Sequence, residues 1–389
     1  MPALPSIALT MTGKNDMSKS SADRPVYQRV RSLVRPEIAS LDSYHVQSSK
    51  GMIKLDAMEN PFAWPGDLEQ QWLDRLGNAS LNRYPDPVAT ELSQSIRHYF
   101  GVPDELGVML GNGSDELIQI IAMAVAQSGR TILAPEPGFV MYRMIAAFVG
   151  MRYVGVPLAQ DFTLDVPAML AAIRDTRPAL VFLAQPNNPT GNLFGLDATK
   201  QIIEASEGLV VIDEAYLPFT KSDLLHLASD YENVVVMRTF SKMGLAGLRL
   251  GILVGDTAWL SEFDKVRLPY NINSLTQMSA RFALDHIDVL ERQAEQLCDS
   301  RRWLMQALGE IDGLEAFPSE ANFILVRLPA RYSARDIFEG MKCAGVLVKC
   351  MDGAHPLLAN CLRLTVGLPE ENSQMMEILK SVLSTVGTP

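Results

Sequence analysis

Between Val108 and Val254 the chain alternates short apolar runs with longer stretches whose apolar residues recur at helical spacing. The runs 108–110, 131–134, 152–156, 179–183, 209–212, 234–237 and 250–254 predict seven strands. Several are apolar throughout rather than at every second residue, so both faces must be covered. Strands of that kind, alternating with helices, make an α/β fold: a large domain with a mostly parallel open sheet and helices on both faces. Ahead of the first strand, 27–42 predicts one short helix, and 54–61 an extended arm that Pro61, Pro65 and Gly66 keep irregular. Residues 90–100 predict a helix with Leu92 and Ile96 on one face. After Leu268-Pro269-Tyr270 the pattern changes. One long helix is expected from about 275 to 308, then strands over 322–327, 346–349 and 361–366, with helices over 334–344 and 370–386. This is a smaller α+β domain. The expected division is a flexible tail over 1–24, an arm and part of the small domain over 25–85, the large domain over 86–274 and the C-terminal small domain over 275–389.

A chain of 389 residues is long enough for two well-buried cores. Its net charge of −11, with no basic stripe, argues against a nucleic-acid partner. The same charge repels anions at long range, so an anionic ligand must be held by local arginines or helix N-termini. Cys298, Cys343, Cys350 and Cys361 form no Cys-x-x-Cys pair and no compact metal-ligand spacing, so reduced structural thiols and no metal are expected. No apolar run has transmembrane length and none resembles a secretory core, which points to a cytoplasmic protein without a membrane partner.

The chemistry gathers at strand ends. The 179–183 run leads to Pro186-Asn187-Asn188-Pro189-Thr190-Gly191, the 209–212 run to Asp213-Glu214-Ala215-Tyr216, and the 234–237 run to Ser241-Lys242 in a loop closed by Arg249. Ligands of open α/β sheets sit outside the carboxyl ends of strands, so one pocket can receive all three clusters. A lysine there, desolvated enough to lose its proton, can bind a carbonyl covalently. Alone, it reads equally as a solvated loop lysine. Asp213 ends a buried run, where an unpaired carboxylate is costly; a pyridinium N–H would be a suitable partner, and a structural ion pair or helix cap the plain alternative. Asn188 and Tyr216 can donate to a ring oxygen, or serve only the turn. Gly111-Asn112-Gly113-Ser114-Asp115-Glu116 follows a strand and opens a helix over 117–125, which suits a phosphate as well as a simple cap. Ser241 and Arg249 can add phosphate contacts, and Phe139 offers an aromatic face beyond another strand. Together these residues match pyridoxal 5'-phosphate (PLP).

These segments, with Leu55-Asp56-Ala57-Met58-Glu59-Asn60-Pro61, Arg83-Tyr84-Pro85-Asp86-Pro87, Ser319-Glu320-Ala321-Asn322-Phe323 and Asn360-Cys361-Leu362-Arg363-Leu364-Thr365-Val366-Gly367, resemble the fold-type I PLP-dependent aminotransferases, and among them the histidinol-phosphate aminotransferases. The resemblance runs from about Tyr27 to the last helix. It implies that Lys242 anchors the cofactor and shuttles the substrate proton, Asp213 pairs the ring nitrogen, Asn188 and Tyr216 hold the ring oxygen, and Phe139 stacks on the ring. It assigns the phosphate to the Ser114 and Asp115 backbone, Ser241 and Arg249, with Tyr84 reaching it from the neighbouring subunit of a homodimer. Arg363 would grip the glutamate carboxylate in one half-reaction and the histidinol phosphate group in the other, a planar fork suiting both. Tyr44 and Asn322 match further substrate positions. Lys349 stands where some members have arginine, keeping the charge without the fork.

The activity implied is transamination of L-histidinol phosphate with 2-oxoglutarate in histidine biosynthesis. A threonine-phosphate decarboxylase or an aromatic aminotransferase on the same scaffold is the nearest alternative. A PLP-binding regulator is a remote one, since such proteins carry a DNA-binding module for which the tail ahead of the domain is too short.

Overall fold

The computed structural model describes residues 25–43 and 46–386. The expected tail over 1–24 and Tyr44 lie outside the described residues. The described residues 25–43 belong to a unit of their own, with helices Pro25–Leu33 and Pro36–Ala39 where one helix was expected. Pro36 causes the break: it forces Arg35 before it out of the helical region, to φ −56° and ψ 139°.

The unit from Val46 onward is built on a seven-stranded sheet. Its strands are β1 (Leu106–Asn112), β2 (Thr131–Glu136), β3 (Arg152–Pro157), β4 (Leu180–Ala184), β5 (Leu209–Asp213), β6 (Val234–Thr239) and β7 (Leu250–Asp256), in the spatial order β1-β7-β6-β5-β4-β2-β3. All seven expected strands are present. β7 alone runs antiparallel, between β1 and β6. Every residue of β4, β5 and β6 is buried. Their side chains alternate between two cores: Val181, Leu183, Val210, Ile212, Val234 and Val236 pack in one, and Leu180, Phe182, Leu209, Val211, Val235 and Met237 in the other. Helices Thr90–Phe100 and Leu196–Ala205 cover the first face, and Ser114–Val125 and Val140–Val149 the second. The unbroken apolar runs are thus explained by a sheet buried on both sides.

The smaller lobe is a four-stranded antiparallel sheet, ordered 349–350, 361–365, 323–327 and 315–316, with a separate core that includes Leu304, Phe323, Ile337, Met341 and Leu379. The expected 346–349 strand is divided. Val346–Leu347 pairs in parallel with Ile53–Lys54, whereas Lys349–Cys350 pairs with the strand Cys361–Thr365. The expected 275–308 helix is also divided, into Ser274–Asp285 and Ile287–Gly309, at His286 with φ −127° and ψ 30°. No glycine or proline marks that break. The first piece packs on the large-domain helix Thr90–Phe100 and the second crosses to the small lobe, so tertiary packing decides it. Pro65 and Gly66, expected to interrupt structure, start the helix Gly66–Leu76 instead: Pro65 occupies the cap position, where its missing N–H costs no bond.

Candidate active site

Since β1, β2, β4, β5 and β6 run in one direction, their carboxyl ends share one edge, and the start of antiparallel β7 falls there too. That edge carries Ser114 and Asp115 after β1, Phe139 after β2, Asn188 after β4, Asp213 at the end of β5, Ser241 and Lys242 after β6, and Arg249 before β7. With Met58, Tyr216 and Thr239 these residues line a cleft with an enclosed volume of about 110 Å³.

Asp213 is buried. Its Oδ2 accepts from the Tyr142 hydroxyl at 2.6 Å and its Oδ1 from the Ala215 N–H at 3.0 Å. Burial pushes this carboxyl up to about 6, against the pull of those two bonds. Among the described residues no cation lies within ion-pair distance of it. The Lys242 amine stands 3.4 Å from the Ala57 carbonyl and 5.5 Å from the centre of the Tyr216 ring. Burial, with a smaller contribution from the Arg363 charge, brings it down to about 8.

Three side chains form a relay beside it. Arg363 Nη1 donates to Asn188 Oδ1 at 2.6 Å, and Asn188 Nδ2 donates to the Tyr216 hydroxyl at 3.1 Å. A second Arg363 donor, Nη2, holds the Asp56 carbonyl at 2.8 Å. Burial keeps the Tyr216 hydroxyl well above its ordinary range, so it stays protonated. Lys349 lies directly opposite Arg363 across the antiparallel pair, and residues so paired present side chains to the same face of a sheet. Asn322, also buried, donates to the carbonyl of Met58, itself a lining residue.

At the other end of the cleft the helix Ser114–Val125 starts at Ser114, three residues earlier than expected, so the N–H groups of Ser114 and Asp115 belong to its first turn. Gly113 has φ 83°, and a Cβ there would come within 2.5 Å of Arg249 Nη2. A Cβ on Gly251 would meet the Gly113 carbonyl carbon at 2.6 Å. Two glycines therefore let the guanidinium and the helix start converge. Arg249 pairs with Asp115 at 3.2 Å.

This donor set fits PLP. A buried carboxylate with two neutral donors suits a ring N–H, a lysine amine near neutrality suits a carbonyl, and a glycine-lined helix start with an arginine suits a phosphate.

Tyr84 is not brought to this cleft within the one chain. It is 81% exposed and stacked on Tyr270, ring centres 4.5 Å apart. Two features escaped the sequence reading. Tyr142 touches Asp213, and its only sequence signal is its place one helical turn beyond Phe139. Arg238, buried within β6, bonds Glu214 through Nε at 2.8 Å and Nη2 at 2.7 Å, and reaches Asp223 at 2.6 Å. An arginine inside an apolar strand, with a glutamate ending its neighbour, is the signal for that pair, since a buried charge demands a partner. It ties the Asp213 strand end to the Lys242 strand end.

A family model for the class I and II aminotransferases matches residues 8–379. Histidinol-phosphate aminotransferase 2 of Nitrosococcus oceani is 52% identical over 353 residues, 91% of this chain and 98% of that protein. The histidinol-phosphate aminotransferase of Chromobacterium violaceum is 50% identical over 351 residues, 90% of this chain and 98% of that one. Among solved structures, the histidinol-phosphate aminotransferase of Sinorhizobium meliloti in complex with pyridoxal-5'-phosphate aligns with a TM-score of 0.82 at 26% identity, covering 91% of this chain and 98% of that one. With such coverage the chain belongs to the class I and II aminotransferases, and within them to the histidinol-phosphate aminotransferase family.

Proposed function

We propose that this protein catalyses transamination of L-histidinol phosphate with 2-oxoglutarate, giving imidazole-acetol phosphate and L-glutamate, as a step of L-histidine biosynthesis. The observation that carries the reading is identity of half or more with histidinol-phosphate aminotransferases over nine-tenths of the chain. It weighs against the threonine-phosphate decarboxylase and aromatic aminotransferase alternatives. When bound, PLP supplies a carbonyl that takes up the substrate amine and a ring that accepts the electron pair released at Cα.

The chain's residues do the rest. Lys242 would anchor the cofactor through its amine and, with that amine free, would take the proton from the substrate Cα and return it to the cofactor carbon that carried the carbonyl. Asp213 holds the proton on the ring nitrogen through its negative charge. Asn188 and Tyr216 donate to the ring oxygen, and Phe139 lies against the ring face. The Ser114 and Asp115 N–H groups, Ser241 and Arg249 hold the phosphate. Arg363 binds the anion that each substrate presents, and its bond to Asn188 couples the substrate end to the ring-oxygen end. Lys349, on the Arg363 face, adds a second positive charge toward the histidinol phosphate group. Asn322 orders Met58. Tyr84 serves the phosphate of a partner subunit in a homodimer, consistent with its exposure and that of Leu81, Leu268 and Tyr270. Among the described residues no helix is long and apolar enough to cross a membrane, and a cytoplasmic location is part of the same reading.

The test is substrate preference. The purified, PLP-loaded protein should form glutamate from histidinol phosphate and 2-oxoglutarate with a kcat/KM about tenfold or more above that for phenylalanine or tyrosine, because a doubly charged phosphate can engage Lys349 as well as Arg363, whereas a single carboxylate engages Arg363 alone. Carbon dioxide release from threonine phosphate at a comparable rate would replace this reading with the decarboxylase.

A further inference from the structure

Among the described residues Tyr142 is the one side chain bonded to Asp213, and nothing in the reaction outlined above uses it. Its surroundings leave it little freedom. The ring lies parallel to that of Phe182 on β4, centres 4.4 Å apart and planes 14° apart, and meets Phe139 edge-on at 5.5 Å. Tyr142 sits in the first turn of the helix Val140–Val149, which Phe139 caps. One helix start therefore carries both the residue for the ring face and the residue that touches Asp213. With its ring packed against Phe182 and Phe139, the hydroxyl donates to Asp213 Oδ2 at 2.6 Å.

We propose that Tyr142 is a positioning residue: its hydroxyl orients the Asp213 carboxylate toward the ring nitrogen of the cofactor and keeps that carboxylate ionised. The inference rests on the assignment of Asp213 given above. Two further observations agree. Burial holds the Tyr142 hydroxyl well above its ordinary range, so it is a donor throughout the working range of pH and never competes with Asp213 for negative charge. Burial also raises the Asp213 carboxyl, and the Tyr142 bond is the larger of the two hydrogen bonds opposing that rise. Without the hydroxyl, a carboxyl already raised to about 6 rises further. Its neutral form then persists to higher pH and cannot sustain the ring N–H contact.

Tyr142→Phe removes the hydroxyl and keeps both ring contacts. The experiment measures PLP affinity of the cofactor-free protein by spectrophotometric titration across pH, in a double-mutant cycle with Asp213→Asn. In the parent background Tyr142→Phe should weaken binding by about tenfold or more, the scale of a hydrogen bond to a charged group. The acid-side loss of affinity should also move to higher pH. In the Asp213→Asn background the same change should alter affinity by less than about twofold, because the carboxylate it serves is gone. An equal effect in both backgrounds, or none in the parent, overturns the proposal and leaves Tyr142 as core packing. An Asp213→Asn change that leaves both affinity and turnover unaltered instead removes the Asp213 assignment itself.

Discussion

A lysine amine held near 8 rather than 10.5 makes folding sensitive to alkaline pH, and the sign follows from where the protons sit. Below about 8 both the folded and unfolded chains carry the proton on Lys242. Between about 8 and 10.5 the unfolded chain binds more protons, so stability rises with pH through that window. Lys242→Met lacks this contribution. The cofactor-free Met variant is therefore expected to be more stable than the cofactor-free parent at neutral pH, with the advantage shrinking between about 8 and 10.5; denaturant unfolding at a series of pH values measures it. A difference that stays constant with pH would mean that Lys242 is not desolvated in the fold. Lys242, Asp213 and Asn188 were legible because each follows an apolar run that ends in polar residues. Tyr142 was not, since an aromatic residue in an apolar helix reads as core, and only its hydroxyl's direction sets it apart. Arg238 and Glu214 are 24 positions apart and meet only because their strands are neighbours.

At the scale of elements, the convergence of β1, the helix Ser114–Val125 and Arg249 depends on space that glycines leave open. Gly113→Ala places a methyl in the path of the Arg249 guanidinium at a residue with φ 83°. The change should cost about 1 kcal/mol or more in stability, from backbone strain alone. It should also weaken PLP binding about tenfold by displacing a charge-assisted phosphate contact. Titration with PLP and a thermal melt check the two parts separately. Unaltered cofactor affinity would show that Arg249 does not depend on this approach. Periodicity located all seven strands of the large sheet but carries no direction, so antiparallel β7 could not be read from it. The same limit hid the divided elements. The helix break at His286 and the exchange of partners after Leu347 are set by which lobe each piece packs on, not by local propensity.

At the scale of the molecule, a net charge of −11 gives no general attraction for phosphate-bearing substrates, so specificity depends on a few local cations. Tyr84, 81% exposed and stacked on Tyr270, is predicted to complete the phosphate site of a second subunit. Mixing Tyr84→Phe subunits with Lys242→Ala subunits would then create heterodimers with one doubly altered site and one unaltered site. Activity should rise above that of either parent after subunit exchange, towards half of the unmutated activity per heterodimer; no rise despite proven exchange would place Tyr84 outside the shared site. Underlying all of this is the claim that the strand ends of the large sheet converge on a PLP site with Lys242 as its covalent anchor. Borohydride treatment of the PLP-loaded protein, which makes an amine–carbonyl linkage permanent, followed by peptide mapping, tests that claim most directly. A single pyridoxyl label on Lys242 is the expected result; a label on another lysine, or none, would rule Lys242 out as the anchor.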